Sequence, residues 1–283
     1  MNGILLINKP KDITSRDVVN KISKILGIKK VGHSGTLDPM ATGVLVLGIG
    51  KGTKIIELLT AYDKEYIAEV TLGIETDTLD ITGNIINKDD SNITKNQLLE
   101  VLNSFIGEYN MEVPIYSAIK IKGKKLYEYA REGKEVELPK KKVHIYNLEL
   151  ISDLIDNKFK IRCKVSKGTY IRSLIRDIGR KLNTYATMSS LERTKQGRFG
   201  VEDCYSIKDI ENNNYRLLDI KDALNIPIIT VDDELLFKIR NGAIIDKFFT
   251  EDKILILDKN NNEVAIYKTY EKDSAKVKPY KML

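Results

Sequence analysis

Two cysteines, two histidines, six prolines and no tryptophan in 283 residues leave little room for several classes of chemistry. Cys163 and Cys204 stand alone with no Cys-x-x-Cys spacing, which argues against a disulfide framework or a thiolate zinc site and for a reducing cytoplasm. His33 and His144 are too few for a metal site of two or three imidazoles and for most histidine relays. Gly48-Ile49-Gly50-Lys51-Gly52-Thr53 lacks the final glycine of a dinucleotide fingerprint, and Gly52 follows Gly50-Lys51 where a phosphate loop needs Ser or Thr. No cofactor and no metal are expected. The apolar run Ile4-Leu5-Leu6-Ile7 is too short for a signal segment, and no stretch approaches the ~18 apolar residues of a membrane span, so no membrane partner is expected either. Internal repeats and low-complexity linkers are also missing.

What is present is the composition of a globular chain, 42% hydrophobic and 30% charged, with a formal net charge of +6. The length suits one large core and a small second domain. The positive balance permits an anionic partner without requiring one.

The most organised stretch is Gly32-His33-Ser34-Gly35-Thr36-Leu37-Asp38-Pro39, followed by Ala41-Thr42-Gly43 and closed by Gly50-Lys51-Gly52-Thr53-Lys54. Pro39 restricts Asp38 to extended backbone, while Gly35 and Gly43 permit tight bends, so the loop can aim one carboxylate. Taken alone, Asp38-Pro39 is equally a turn start or a helix cap. The whole stretch resembles the active-site motif of the pseudouridine synthases that modify uridine in the T loop of tRNA, with Asp38 as the implied catalytic aspartate.

That resemblance extends along the chain. Lys9, Pro10, Thr14 and Ser15 match the family's amino-terminal motif, implying that Lys9 supports the active-site loop, although Asp12 stands where the family usually has glycine. Lys64 to Leu72 alternates as a strand begun by Tyr66, and residues 72–83 resemble the second signature. The resemblance implies that Tyr66 stacks on the target base near the reaction, and that Asp80 arranges polar groups beside it. Residues 166–179 form a strand-to-helix junction matching the third signature, implying that Arg172 pairs with Asp38 and that Tyr170 lines the pocket. A cation in a helix's first turn opposes the dipole, which suits an anionic partner. Leu191 takes the family position that packs on uracil, and His33 is the candidate for stabilising a flipped nucleotide. Each of these has an ordinary alternative as a core, turn or surface residue.

The remaining elements are read from periodicity. Strands are expected over residues 3–7, 44–49, 143–152, 158–165, 253–257 and 263–270. Helices are expected from Ser15 to the stop at Gly27, over 54–59, over 94–106 from a Thr94/Gln97 capping box, and over 232–241. Phe159, Ile161, Cys163 and Val165 face a core, and residues 272–281 are compatible with a basic tail. Residues 110–142 interleave lysine with tyrosine, including Lys120, Lys124 and Arg131. They resemble a thumb-like RNA-gripping insertion of the family.

The fold class expected is α+β, a mixed and mainly antiparallel sheet core flanked by helices. Residues 1–225 form the catalytic domain, and residues 228–283 form a small carboxy-terminal β-barrel of the PUA type. The function implied is isomerisation of the tRNA T-loop uridine at position 55, with the tRNA T stem-loop as partner, base flipping, no obligate protein partner and a monomeric state. The alternatives are a non-catalytic tRNA-binding folding factor on the same scaffold, a guide-RNA-dependent relative, and a hydrolase using Asp38 with Asp77 or Asp80.

Overall fold

Helix caps and strand alternation set the element boundaries in the computed structural model, which describes residues 1–90 and 92–283. Strand β1 (Gly3–Lys9) leads into helix α1 (Ser15–Leu26). Thr14 and Asp17 close a reciprocal capping box at its start, and Gly27, at φ +65°, stops it in the left-handed conformation. Strands β2 (Val31–His33) and β3 (Thr42–Ile49) follow. The helix expected over 54–59 starts instead as a 3-10 turn over Gly50–Ile55, where Thr53 Oγ1 donates to Gly50 O at 2.7 Å, and becomes helix α2 (Ile56–Thr60).

Next come β4 (Lys64–Leu72), the small hairpin β5 (Ile74–Thr76) and β6 (Ile85–Lys88), and helix α3 (Lys95–Asn103). Helix α3 keeps its Thr94/Gln97 box but ends three residues early, where Phe105 N and Ile106 N donate to Leu102 O (3.1 Å) and Asn103 O (3.2 Å), three residues back rather than four. Strand β7 (Gly107–Glu112) precedes a short excursion of β8 (Lys120–Ile121), β9 (Lys124–Lys125) and helix α4 (Leu126–Arg131). Then β10 (Lys140–Leu150), β11 (Lys158–Val165), helix α5 (Ile171–Lys181), β12 (Ala186–Gln196) and β13 (Phe199–Gly200) complete the large sheet. Because Lys140 to Lys142 pair with Glu112 to Asn110, the chain leaves this sheet only over residues 113–139.

The sheet runs β1-β3-β12-β4-β11-β10-β7, with β2 beside β3 and β13 beside β12. Every pairing is antiparallel except β12 with β3, where Arg193 lies opposite Gly43. Gly43 is obligatory there: it has φ +99°, and a Cβ would lie 2.2 Å from Arg193 O. On β11 each alternate residue is buried, which puts Phe159, Ile161, Cys163 and Val165 into one core with α3 and α5, as the alternation predicts. Leu37 and Met40 of the acidic loop join the same core.

On β1 the two faces are used differently. Leu5 and Ile7 pack with Val18, Val19 and Ile22 of α1, whereas Ile4 and Leu6 pack with Leu255, Leu257 and Ile266 from the carboxy-terminal unit. After helices α6 (Ile207–Glu211) and α7 (Ile220–Ala223), that unit comprises β14 (Ile228–Thr230), α8 (Asp233–Arg240), β15 (Ile245–Asp246), β16 (Lys253–Leu257), β17 (Glu263–Tyr270) and β18 (Asp273–Met282). Its sheet order is β14-β16-β17-β18-β15. The basic residues 272–281 are therefore not a tail: Val277 is fully buried and pairs with Thr269 on β17 and Ile245 on β15. Among the described residues no helix is long and apolar enough to cross a membrane.

Candidate active site

The acidic loop, between β2 and β3, is fastened from beneath. Lys9, fully buried at the end of β1, donates through Nζ to Pro10 O (2.8 Å), Pro39 O (3.1 Å) and Ala41 O (2.7 Å). Burial lowers its pKa to about 8, opposed by the nearby charges of Asp38 and Asp12. Ser15, first residue of α1, both accepts from Leu37 N (2.8 Å) and donates to Leu37 O (3.1 Å). Ala41 N closes a turn onto Asp38 O at 3.0 Å, and Asp12 N donates to Pro39 O at 2.8 Å. Asp12 sits at φ +68°, a left-handed conformation that aspartate tolerates better than most residues and glycine adopts freely.

With the loop fixed, Asp38 meets Arg172 from the first turn of α5. Arg172 Nε lies 3.0 Å from Asp38 Oδ2, and Nη2 donates to Oδ1 at 3.2 Å. The same guanidinium donates from Nη1 to Thr78 O (3.0 Å) and from Nη2 to Tyr116 O (3.1 Å). Arg172 is buried, while the Asp38 side chain is 35% exposed. The acid is thus gripped on one side and open on the other. Asp80, nearly buried, has Oδ2 3.8 Å from Arg172 Nη1. Its Oδ1 accepts from Thr78 Oγ1, Thr82 N and Thr82 Oγ1, so the turn over residues 78–82 is a second buttress for the arginine.

The open side of Asp38 faces a cavity of about 450 Å³ whose walls include Tyr66, Tyr116, Tyr127, Tyr170 and Leu191. Tyr66 comes from β4, Leu191 from β12 and Tyr170 caps α5, so three elements far apart in sequence converge. Burial pushes the Tyr170 phenol up. His33 lies beside the cavity with Nδ1 accepting from Gly35 N at 3.3 Å. Burial and the charges of Arg16 and Arg193 hold it below its ordinary pKa, in the neutral form.

Lys120, Lys124 and Arg131 are not among the cavity walls. Lys124 pairs with Glu132 and lies 5.0 Å from the Tyr129 ring centre, and Arg131 lies 5.3 Å from that of Tyr127. These cations and rings of the excursion stack on one another, and only the excursion's Tyr116, Ser117, Ala118 and Tyr127 reach the cavity.

Three groups escape a sequence reading. Arg193 on β12 is 2% exposed and donates to Tyr66 Oη (3.3 Å) and to the carbonyls of Gly35 (3.3 Å), Thr36 (3.0 Å) and Val44 (3.2 Å). Its signal was the spacing of two from Leu191, which in a strand gives both the same face. Lys64, two residues before Tyr66, is buried with Nζ on Thr60 O (2.6 Å) and Tyr62 O (2.5 Å), and burial lowers its pKa to about 8. Arg176, one turn after Arg172, binds Glu112 Oε1 (2.9 Å) and Asp177 Oδ1 (2.8 Å), bolting α5 to the strand from which the excursion departs.

Residues 23–171 match the model of the TruB family pseudouridylate synthase (N terminal domain), and residues 172–232 match that of the tRNA pseudouridylate synthase B C-terminal domain. Among curated proteins, a tRNA pseudouridine synthase B of Caldanaerobacter subterraneus subsp. tengcongensis is 43% identical over 94% of both chains. One of Bacillus cytotoxicus is 40% identical over 100% of this chain and 97% of its own. Among solved structures, a chain of a Cbf5-Nop10-Gar1 complex superposes with a TM-score of 0.72 at 25% identity, over 94% of this chain and 78% of that one. A chain of an H/ACA RNP bound to a substrate RNA containing 2'-deoxyuridine gives 0.73 at 23% identity, over 99% of this chain and 84% of that one, a likeness of fold. A loop-borne acid clamped by an arginine over an aromatic cavity, together with matches that run the length of the molecule, establishes that this chain belongs to the TruB family of pseudouridylate synthases.

Proposed function

We propose that the chain isomerises the T-loop uridine of tRNA, position 55 in tRNA numbering, to pseudouridine. The bond between uracil N1 and ribose C1′ breaks, the uracil turns, a bond forms between C5 and C1′, C5 loses a proton and N1 gains one. Nothing is oxidised and no water is consumed. The observation that carries the proposal is the half-open carboxylate: each Asp38 oxygen accepts one hydrogen bond from Arg172 and keeps lone pairs for a nucleotide in the cavity.

The site residues take the following parts in this reading. Asp38 acts on the ribose or base, and Arg172 aims it, with Asp80 behind the arginine. The nucleotide is flipped out of its loop to reach the cavity, where Tyr66 stacks on the base, Leu191 packs on it and Tyr170 closes the side. The Tyr66 phenol, or a water it holds, takes the C5 proton. Lys9 holds the loop, and His33 stabilises the flipped nucleotide or fills the place it leaves in the stack. Lys120 contacts RNA phosphates, for which Lys124 and Arg131 exchange their partners within the excursion, and residues 228–283 form a further RNA-binding unit beside the catalytic domain of residues 1–225. The end-to-end match to curated relatives named tRNA pseudouridine synthase B supports tRNA as substrate.

A tRNA transcript tritiated at uridine C5 tests the proposal. The protein should release label to water and Asp38→Asn should not, and in a T-stem minihelix the modified nucleotide should be the T-loop uridine. Label release by Asp38→Asn, or modification elsewhere, would sink it.

A further inference from the structure

The largest fully buried side chain of the molecule carries a full positive charge, and among the described residues it forms no ion pair. Arg193 instead spends its N–H groups on neutral oxygens. Nε faces Tyr66 Oη (3.3 Å), Nη2 faces Thr36 O (3.0 Å), and Nη1 is shared by Gly35 O (3.3 Å), Val44 O (3.2 Å) and Gln196 Oε1 (3.4 Å). Its guanidinium carbon lies 5.6 Å from the Tyr66 ring centre. A buried charge without an acid is costly, and satisfaction by carbonyl dipoles lowers that cost only while their geometry is kept. The arrangement therefore ties two things together that the sheet alone does not: the phenol of Tyr66 on β4, and the stretch Gly35-Thr36 just before Asp38.

We propose that Arg193 is a positioning residue for the isomerisation, a rigid bracket that sets the Tyr66 phenol against the Asp38 loop. This rests on the reading of the site given above. A planar fork can reach the phenol with one nitrogen and the loop carbonyls with the others, whereas an ammonium radiates its donors from one point and cannot span both. A displacement of ~1 Å between reacting groups costs on the order of a hundredfold in rate.

The test is Arg193→Lys, which keeps the charge, read by single-turnover tritium release with enzyme in excess, by equilibrium binding of the T-stem minihelix, and by thermal melting. The rate constant should fall about a hundredfold while the RNA Kd stays within about threefold, the split expected of a group that acts after binding. In a Tyr66→Phe background, where the phenol acceptor is gone, the cost of Arg193→Lys should shrink at least about tenfold. A rate within threefold of wild type, a parallel loss of binding and melting temperature, or an undiminished cost in the Tyr66→Phe background would each overturn the proposal. Failure of the wild-type protein to release label would instead count against the proposed reaction itself.

Discussion

Replacing Arg172 by lysine separates charge from geometry at the centre of the site. Arg172 makes four contacts of 3.2 Å or less, two to Asp38 and one each to Thr78 O and Tyr116 O. A lysine has three N–H groups on one atom, so the two-point grip on Asp38 is lost and at least one carbonyl is left without a donor. A hydrogen bond to a charged group contributes ~1.5–3 kcal/mol and an unpaired buried acceptor costs ~1–3 kcal/mol. Because water can reach Asp38, its share is discounted, and the net loss is about 3 kcal/mol. At ~2–4 °C per kcal/mol for a chain of this size, Arg172→Lys should lower the melting temperature by roughly 6–12 °C. Freed from its fork, Asp38 should lose about a hundredfold in single-turnover tritium release. A variant whose rate stays within about threefold of wild type would show that charge alone suffices and would refute the geometric argument.

Two further outcomes follow from the loop and the sheet. Lys9 has a folded pKa of about 8 against an ordinary value of 10.5, so between these values the unfolded chain binds the extra proton and the group's contribution to stability rises with pH. Over the same window the neutral amine has two N–H groups for three carbonyls, so the rate should decline above about pH 8, and an identical alkaline limb in Lys9→Met would exclude Lys9 as its cause. Gly43→Ala forces a Cβ to within 2.2 Å of Arg193 O at φ +99°. Overpacking of ~1–3 kcal/mol and left-handed strain of ~1–2 kcal/mol should together cost at least ~4 °C in melting temperature, and wild-type melting would contradict the parallel register of β3 and β12.

The elements legible in the sequence are those whose signal is local. The apolar spacing that starts α1 near Ser15, the Thr94/Gln97 box, Gly27 and the alternation of β11 are written within a few residues of where they act. Asp38, Tyr66 and Arg172 were legible through motif resemblance, and the structure gathers them around one cavity. Arg193 was not, because Glu192-Arg193-Thr194 reads as a charged strand edge until β12 is known to lie between β3 and β4 with Arg193 on its buried face. Residues 272–281 misled for a related reason: four lysines in and beside β18 mask the single buried Val277 that fixes its register. The RNA-gripping part of Lys120, Lys124 and Arg131 is legible only through resemblance, because the contacts of Lys124 and Arg131 with Glu132, Tyr129 and Tyr127 lie within the excursion itself.

The bond between Asp38 and Arg172 closes a separation of 134 residues, and the strands that carry Tyr66 and Leu191 pair across more than a hundred positions. Contacts of such range form late, since their loops must be closed before any reward is collected. A growing chain on the ribosome displays the acidic loop well before α5 emerges, yet possesses no clamp for it. Competence should switch on in a single late step, when β12 slides between its neighbours.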